Sequence, residues 1–70
     1  MTREINYLNN HKQELFAGHK VHGLGKVYWA NMTTREVYAQ SDLAEIGGSV
    51  NGYLVAKITD DWEITEADND

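Results

Sequence analysis

Cysteine is absent from this sequence of 70 residues, and so is proline. Without cysteine, neither a disulfide scaffold nor a cysteine zinc site is possible. No run approaches the roughly 18 apolar residues of a membrane-spanning helix, so no membrane association is expected. The first ten residues, MTREINYLNN, have no basic start followed by an apolar run, and they are therefore not predicted to be a secretory signal.

The length limits the chain to one small domain, residues 1–70, in which 67–70 are predicted to be a frayed acidic tail. Below roughly 70–80 residues a single core supplies only a few kcal/mol of stability. Large side chains for such a core are Tyr7, Phe16, Tyr28, Trp29, Tyr38, Tyr53 and Trp62, together with aliphatic residues such as Ile5, Leu8 and Ile64. This small margin makes homodimerisation, or stabilisation by a bound partner, a reasonable hypothesis.

Negative charge is concentrated at the C-terminal end of the chain. The protein has 6 Lys+Arg against 11 Asp+Glu, which gives a net charge of −5. Residues 1–59 contain six bases and five acids, whereas residues 60–70 contain six acids and no base. This asymmetry is the most informative feature of the sequence.

The first segment, residues 2–17, is predicted to be a helix. Its apolar residues recur near one face at Ile5, Leu8 and Leu15. Thr2 is placed to cap the N-terminus, and Gly18 is placed to end the helix in the left-handed conformation. Because asparagine favours caps and turns, the pair Asn9-Asn10 is a weak point. The alternative is a break there, with a second helix starting at Asn10.

Two hairpins are predicted after this helix. Residues 18–25 contain three glycines and are predicted to be a loop, with room for a short extended piece. Residues 26–32 and 36–40 alternate and are rich in β-branched and aromatic side chains, which predicts the first hairpin. Within it, Tyr28 and Tyr38 are predicted to be cross-strand neighbours on one face.

Between the hairpins, residues 41–47 are predicted to form a helical turn with Asp42 as N-cap and Glu45 at the capping-box spacing. Residues 53–59 are the strongest strand prediction, and 62–65 are predicted to return as an acidic edge strand. The expected fold class is α+β. An N-terminal helix packs on a small antiparallel sheet of three to four strands, with one short helical turn between the two hairpins.

Groups for catalysis or metal binding are sparse. The three histidines, His11, His19 and His22, lack the further ligands that zinc requires, so no metal is expected. The segment Gly23-Leu24-Gly25-Lys26 matches only a fragment of a phosphate-binding loop and leads into a strand. The two serines have no histidine near them in the sequence, and a chain this short hardly encloses a substrate pocket. Neither an enzyme nor a cofactor is expected.

Basic residues interleaved with aromatic ones favour an alternative function, a small regulator that binds single-stranded nucleic acid through the first hairpin. The residues concerned are Lys12, Lys20, Lys26, Tyr28, Trp29 and Arg35. A pI of about 5.0 argues against direct contact with nucleic acid. A further alternative is a structural subunit that simply self-associates.

The acidic C-terminal segment favours the leading hypothesis, a surface that binds another protein. Its other interpretation is a solvated end that keeps a small protein soluble. Carboxylates spaced along an edge strand with an apolar face approximate the charge spacing of a phosphate backbone and complement a basic groove. The residues predicted to bind the partner are Asp60, Asp61, Trp62, Glu63 and Glu66, with Glu36, Asp42 and Glu45 as a second acidic patch. Trp62 as a core residue is the alternative.

By size, acidity and lack of motifs, the chain resembles the small proteins that phages and mobile elements encode to block host enzymes. Some anti-CRISPR proteins, inhibitors of DNA-repair enzymes and anti-restriction proteins are of this type, and several mimic nucleic acid. No motif carries this resemblance, so it transfers no functional residue. It implies a non-catalytic protein that inhibits or modulates a nucleic-acid-handling partner in the host cytoplasm.

Overall fold

Two short helices precede a sheet of five strands. The computed structural model describes residues 2–41 and 52–67. Its helices are α1 (Arg3–Asn10) and α2 (Lys12–Phe16), and its strands are β1 (Val21–Gly23), β2 (Lys26–Asn31), β3 (Glu36–Ser41), β4 (Tyr53–Ile58) and β5 (Ile64–Glu66). Each strand pairs antiparallel with its neighbours in sequence, in the order β1-β2-β3-β4-β5.

The α+β class is confirmed, whereas the predicted number of three to four strands is wrong. The additional strand is β1, which lies inside the glycine-rich segment predicted to be mainly a loop. The helical turn predicted for residues 41–47, with its cap at Asp42 and with Glu45, lies outside the described residues beyond Ser41. None of the described helices is long and apolar enough to cross a membrane.

The N-terminal helix is interrupted at His11, whose φ of −118° and ψ of 26° are not helical. The N–H of Ile5 donates to the Thr2 hydroxyl at 3.3 Å, so the predicted N-cap is confirmed. Gly18 follows α2 with a φ of 81°, which confirms the predicted left-handed end. Asn9 and Asn10 are both helical, so the break falls just after them rather than between them.

The sheet is curled, and α1 lies across the gap between its two edges. The Tyr7 hydroxyl donates to the His22 carbonyl on β1, and the Asn9 side chain pairs with the backbone of Ile64 on β5. In a flat sheet these outer strands would be about 19 Å apart. Residues 7 and 9 are only about 3 Å apart along a helix axis. The sheet must therefore curl until both edges come within reach of α1.

The core lies between the helices and the concave face of this sheet. Its buried residues are Ile5, Leu8, Leu15, Val21, Tyr28, Val37, Ala39, Ala56, Ile58 and Ile64. Tyr28 lies directly opposite Ala39, whose small side chain leaves room for the ring. Phe16 and Tyr53 were core candidates, but these residues are 65% and 47% exposed.

The hairpin of β2 and β3 confirms the predicted pairing of these segments but not the predicted tyrosine neighbours. Trp29 lies opposite Tyr38, and the two rings stack with centroids 6.2 Å apart. Asn31 is the partner of Glu36, so the loop between the two strands has four residues. Each odd-numbered residue of one strand therefore lies opposite an even-numbered residue of the other. Tyr28 and Tyr38 consequently point to opposite faces of the sheet.

Candidate partner-binding site

Three residues, Asp60, Asp61 and Trp62, form the loop between β4 and β5. The Thr59 N–H donates to the Glu63 carbonyl and the Trp62 N–H donates to the Thr59 carbonyl, both at 2.9 Å. Trp62 has a φ of 61°. A three-residue hairpin loop commonly ends with a residue in this left-handed region, where glycine is favoured. The β4–β5 loop therefore holds a tryptophan at a position whose backbone favours glycine.

This loop corrects the predicted edge strand over residues 62–65. The strand β5 begins only at Ile64, because Trp62 is used to close the turn. Asp60 and Asp61 lie in the loop and Glu63 lies just before β5, so Glu66 is the one predicted site residue on that strand. The Ala67 N–H donates to the Val55 carbonyl at 3.1 Å, and residues 68–70 of the predicted tail lie outside the described residues.

The Trp62 indole connects the core with an exposed phenyl ring. It is partly buried and packs against the core cluster without belonging to the buried residues of that cluster. It also meets the Phe16 ring edge-on, with centroids 5.7 Å apart and 67° between the ring planes. Phe16 and Trp62, here called the aromatic pair, form an apolar surface beside the carboxylates of the loop. Aromatic side chains in such a setting are common anchors of protein interfaces.

The carboxylates around the aromatic pair differ in their hydrogen bonds and ion pairs. Asp61 accepts a hydrogen bond from the Thr59 hydroxyl, and this donation lowers the pKa of Asp61. Glu63 forms an ion pair with Lys12 of α2, with 3.4 Å between Nζ and Oε2. Within residues 2–41 and 52–67, Asp60 has neither a hydrogen bond nor an ion pair and is exposed. Asp60 is thus the carboxylate most open to a partner.

We expect Thr59→Val to raise the pKa of Asp61 towards the ordinary value of 3.8, since the donated hydrogen bond is lost. A lowered folded-state pKa contributes stability above the ordinary pKa, and that contribution disappears as the pH falls through the folded-state value. The acid-side loss of stability due to Asp61 should accordingly become smaller in the variant.

An NMR titration of the Asp61 carboxyl carbon measures this directly, and Thr59→Ser is the matched control because it keeps the hydroxyl. An Asp61 pKa that is the same in Thr59→Val and in the original protein would contradict the assignment of Thr59 as its donor.

The second acidic patch is represented in the described residues by Glu36 alone, since Asp42 and Glu45 lie outside them. Glu36 accepts a hydrogen bond from the Tyr38 hydroxyl at 2.9 Å, and this bond lowers the pKa of Glu36. It also lies opposite Lys57 of β4. Glu36 therefore belongs to the convex face of the sheet and is engaged there.

The residues of the alternative nucleic-acid site are dispersed. Tyr28 is fully buried, so its ring is not available to stack on a base. The Lys26 Nζ lies 3.4 Å from the Glu4 Oε1, and Lys12 forms an ion pair with Glu63. Trp29 stacks on Tyr38 on the convex face instead of standing free. The predicted basic and aromatic strip does not form a continuous surface.

His11 and the glycine-rich segment make contacts within the fold. His11 donates from Nδ1 to the Tyr7 carbonyl at 2.7 Å, and its ring stacks on that of Tyr7. Among residues 2–41 and 52–67, no group of three potential metal ligands lies together.

Leu24 and Gly25, with φ of 54° and 74°, form the two-residue loop between β1 and β2. A polar depression of about 350 Å³ lies at the helix break, lined by residues 9–14.

Sequence reasoning missed the part that α2 contributes to this site. Phe16 follows Leu15 directly, and adjacent residues on a helix do not share a face. Burial of Leu15 therefore implied an exposed Phe16, which was the available signal. The ion pair between Lys12 and Glu63 joins distant parts of the chain, and nothing in the local sequence indicates it.

No family model, curated protein or solved structure matches this chain. Evidence on its function therefore comes from its own residues and their geometry. Among these, the β4–β5 loop with the aromatic pair combines exposed apolar area, open negative charge and an unusual backbone position.

Proposed function

We propose that this protein is a small, non-catalytic binding protein that inhibits or modulates a nucleic-acid-handling protein, and that a phage or mobile element encodes it. The observation that carries this proposal is the β4–β5 loop, which displays Asp60 and Asp61 beside the aromatic pair. Binding surfaces commonly have an apolar centre and a polar rim. The open carboxylates complement the basic groove of a protein that binds nucleic acid.

The two parts of this surface have different roles in the proposed mechanism. The aromatic pair supplies the apolar area that is buried when the partner binds. The carboxylates attract a basic groove over a distance, and this attraction weakens as salt screens the charges. When this protein occupies the groove, it covers the basic side chains of the partner. Nucleic acid and this protein therefore compete for the same groove.

We expect Asp60→Lys to weaken binding of the partner on the order of tenfold, because an attractive contact becomes a repulsive one. The matched control is Glu14→Lys, which makes the same charge change at an exposed residue of α2. Glu63 is left unchanged because its ion pair with Lys12 contributes to the fold. The partner is captured from a lysate of the host cell and identified by mass spectrometry, and its affinity for each variant is then measured by calorimetry.

The proposal requires that the captured partner bind nucleic acid and that it lose nucleic acid when this protein is added. A partner with no affinity for nucleic acid would refute the proposed function. Equal affinities of Asp60→Lys and Glu14→Lys would remove the β4–β5 loop from the binding surface.

A further inference from the structure

The surface around the aromatic pair carries positive as well as negative charge. Arg35, in the loop between β2 and β3, donates from Nη1 to the Thr59 carbonyl at 3.0 Å and so lies beside the β4–β5 loop. Going beyond the proposed function, we infer that a second copy of this protein binds at this surface and forms a symmetric dimer. In the dimer the Phe16 rings of the two copies meet, and Arg35 of each copy pairs with Asp60 of the other.

Phe16 is the apolar centre of this contact. It is the most exposed of the large apolar residues in the described part of the chain, at 65%. Trp62 is partly buried and meets it edge-on, so the indole supports the phenyl ring from the side of the core. A ring that is already held in place loses little conformational freedom when a partner covers it. Two such rings that meet across an interface add an aromatic contact to the buried apolar area.

Arg35 and Asp60 are exposed neighbours that leave each other unpaired. The bond from the guanidinium to Thr59, the residue before Asp60, uses one of several N–H donors of arginine. Within residues 2–41 and 52–67, Arg35 forms no ion pair, and Asp60 has neither an ion pair nor a hydrogen bond. Each of the two side chains therefore has capacity for an opposite charge that another molecule supplies.

This combination of both signs selects a second copy as the occupant. In a two-fold dimer the same surface meets itself, so a residue pair across the interface occurs twice. A two-fold axis that runs beside Phe16 and between Arg35 and Asp60 joins the rings and forms two reciprocal ion pairs. Each copy has a net charge of −5, so association requires a contact in which cations offset carboxylates. The arginine at the β4–β5 loop supplies this cation.

The dimer has consequences for stability and for the proposed partner. A single core in a chain of this size contributes only a few kcal/mol, and association of folded copies stabilises the fold by mass action. Because the dimer covers the β4–β5 loop, the protein partner proposed above would bind the monomer. Self-association then limits how much of the protein is free to bind that partner.

The test exchanges the two charges between separate variants. Arg35→Asp places a carboxylate opposite Asp60, and Asp60→Arg places a guanidinium opposite Arg35. We expect each variant alone to raise the dissociation constant of the dimer on the order of tenfold. In an equimolar mixture both ion pairs are restored, so the mixed dimer should return to within about threefold of the original dissociation constant. Aspartate tolerates the left-handed backbone of residue 35, where φ is 58°.

Sedimentation of the purified protein from micromolar to millimolar concentration measures the association, and native mass spectrometry identifies the mixed dimer. Circular dichroism first verifies that each variant is folded. The control for net charge is Glu14→Arg, which makes the same charge change as Asp60→Arg at an exposed residue about 200° around α2 from Phe16. This control should not weaken the dimer.

A second pair of variants tests the apolar centre. We expect Phe16→Gln to raise the dissociation constant on the order of tenfold. Tyr53→Gln should leave it unchanged, because Tyr53 is 47% exposed but lies at the end of β4 away from the β4–β5 loop. Asp60→Arg and Phe16→Gln replace exposed side chains, so they keep the test decisive even where Arg35→Asp does not fold.

A protein that stays monomeric over the whole concentration range overturns the inference. It is equally overturned when Asp60→Arg weakens the dimer no more than Glu14→Arg, when Phe16→Gln leaves the dissociation constant unchanged, or when the mixed variants associate no better than each alone. These measurements need only the purified protein, whereas the proposed function depends on the captured partner. Failure of one is therefore distinguishable from failure of the other.

Discussion

Replacing Asn9 with alanine is expected to destabilise the protein by about 2–3 kcal/mol, although alanine is the better helix former. The Asn9 side chain donates from Nδ2 to the Ile64 carbonyl at 3.0 Å and accepts from the Ile64 N–H at 2.9 Å. Both bonds lie on the outer edge of β5, where no further strand of residues 2–41 and 52–67 is paired with this backbone. Without them, two polar groups of a buried residue lose their partners.

The matched control is Asn10→Ala, one residue further along α1 at an exposed position. It makes the same change in helix propensity, worth roughly 0.6 kcal/mol in favour of alanine, so it should be neutral or slightly stabilising. Urea unfolding followed by tryptophan fluorescence measures both variants. Asn9→Ala and Asn10→Ala of equal stability would contradict the role of Asn9 in holding β5.

The hydrogen bonds between Asn9 and β5 also bear on self-association. An uncovered edge strand offers unpaired backbone groups to a second molecule. In this protein α1 engages both edges, through Asn9 at β5 and Tyr7 at β1. We therefore regard strand addition between copies as disfavoured while α1 is in place.

Local signals made much of the fold predictable. The cap at Thr2, the left-handed Gly18 and the pairing of β2 with β3 follow from residue types and alternation within short segments. The strand β1 was underestimated because it has three residues, one of them glycine, and is held from outside by Tyr7. Elements that depend on a distant side chain carry no periodic signal of their own.

The candidate site was predictable only where it is continuous in sequence. Asp60, Asp61 and Trp62 are adjacent, so their proximity needed no folding argument. The left-handed backbone of Trp62 was not predictable, because glycine is the residue that signals this conformation. Phe16 entered the site through the packing of α2, which depends on the whole tertiary structure.

A left-handed backbone does not by itself mark a binding site. Leu24 and Arg35 also have positive φ, at 54° and 58°, in the other two described hairpin loops. The distinguishing feature of Trp62 is the combination of its position with an exposed aromatic neighbour and open carboxylates. Keeping a large ring at such a position costs about 1–2 kcal/mol of stability. A small domain retains such a residue more readily when its side chain has a function.

Gly23→Ala is expected to destabilise the protein by about 2 kcal/mol, through steric overlap rather than through lost hydrogen bonds alone. A methyl group at residue 23 would overlap the Cζ and Oη atoms of Tyr7. The ring has little freedom to move aside, because it stacks on His11 at 4.0 Å and its hydroxyl donates to the His22 carbonyl. Displacing the ring would release β1 from α1.

A comparison with Gly25→Ala separates this overlap from the general cost of replacing glycine. Gly25 has open space around the added methyl but a φ of 74°, so its replacement should cost about 1 kcal/mol from backbone strain. If Tyr7 is the cause, Gly23→Ala should cost less in a Tyr7→Ala background than in the original protein. Equal costs in both backgrounds would mean that Tyr7 does not hold β1. The edge of the sheet would then need another explanation for its position beside α1.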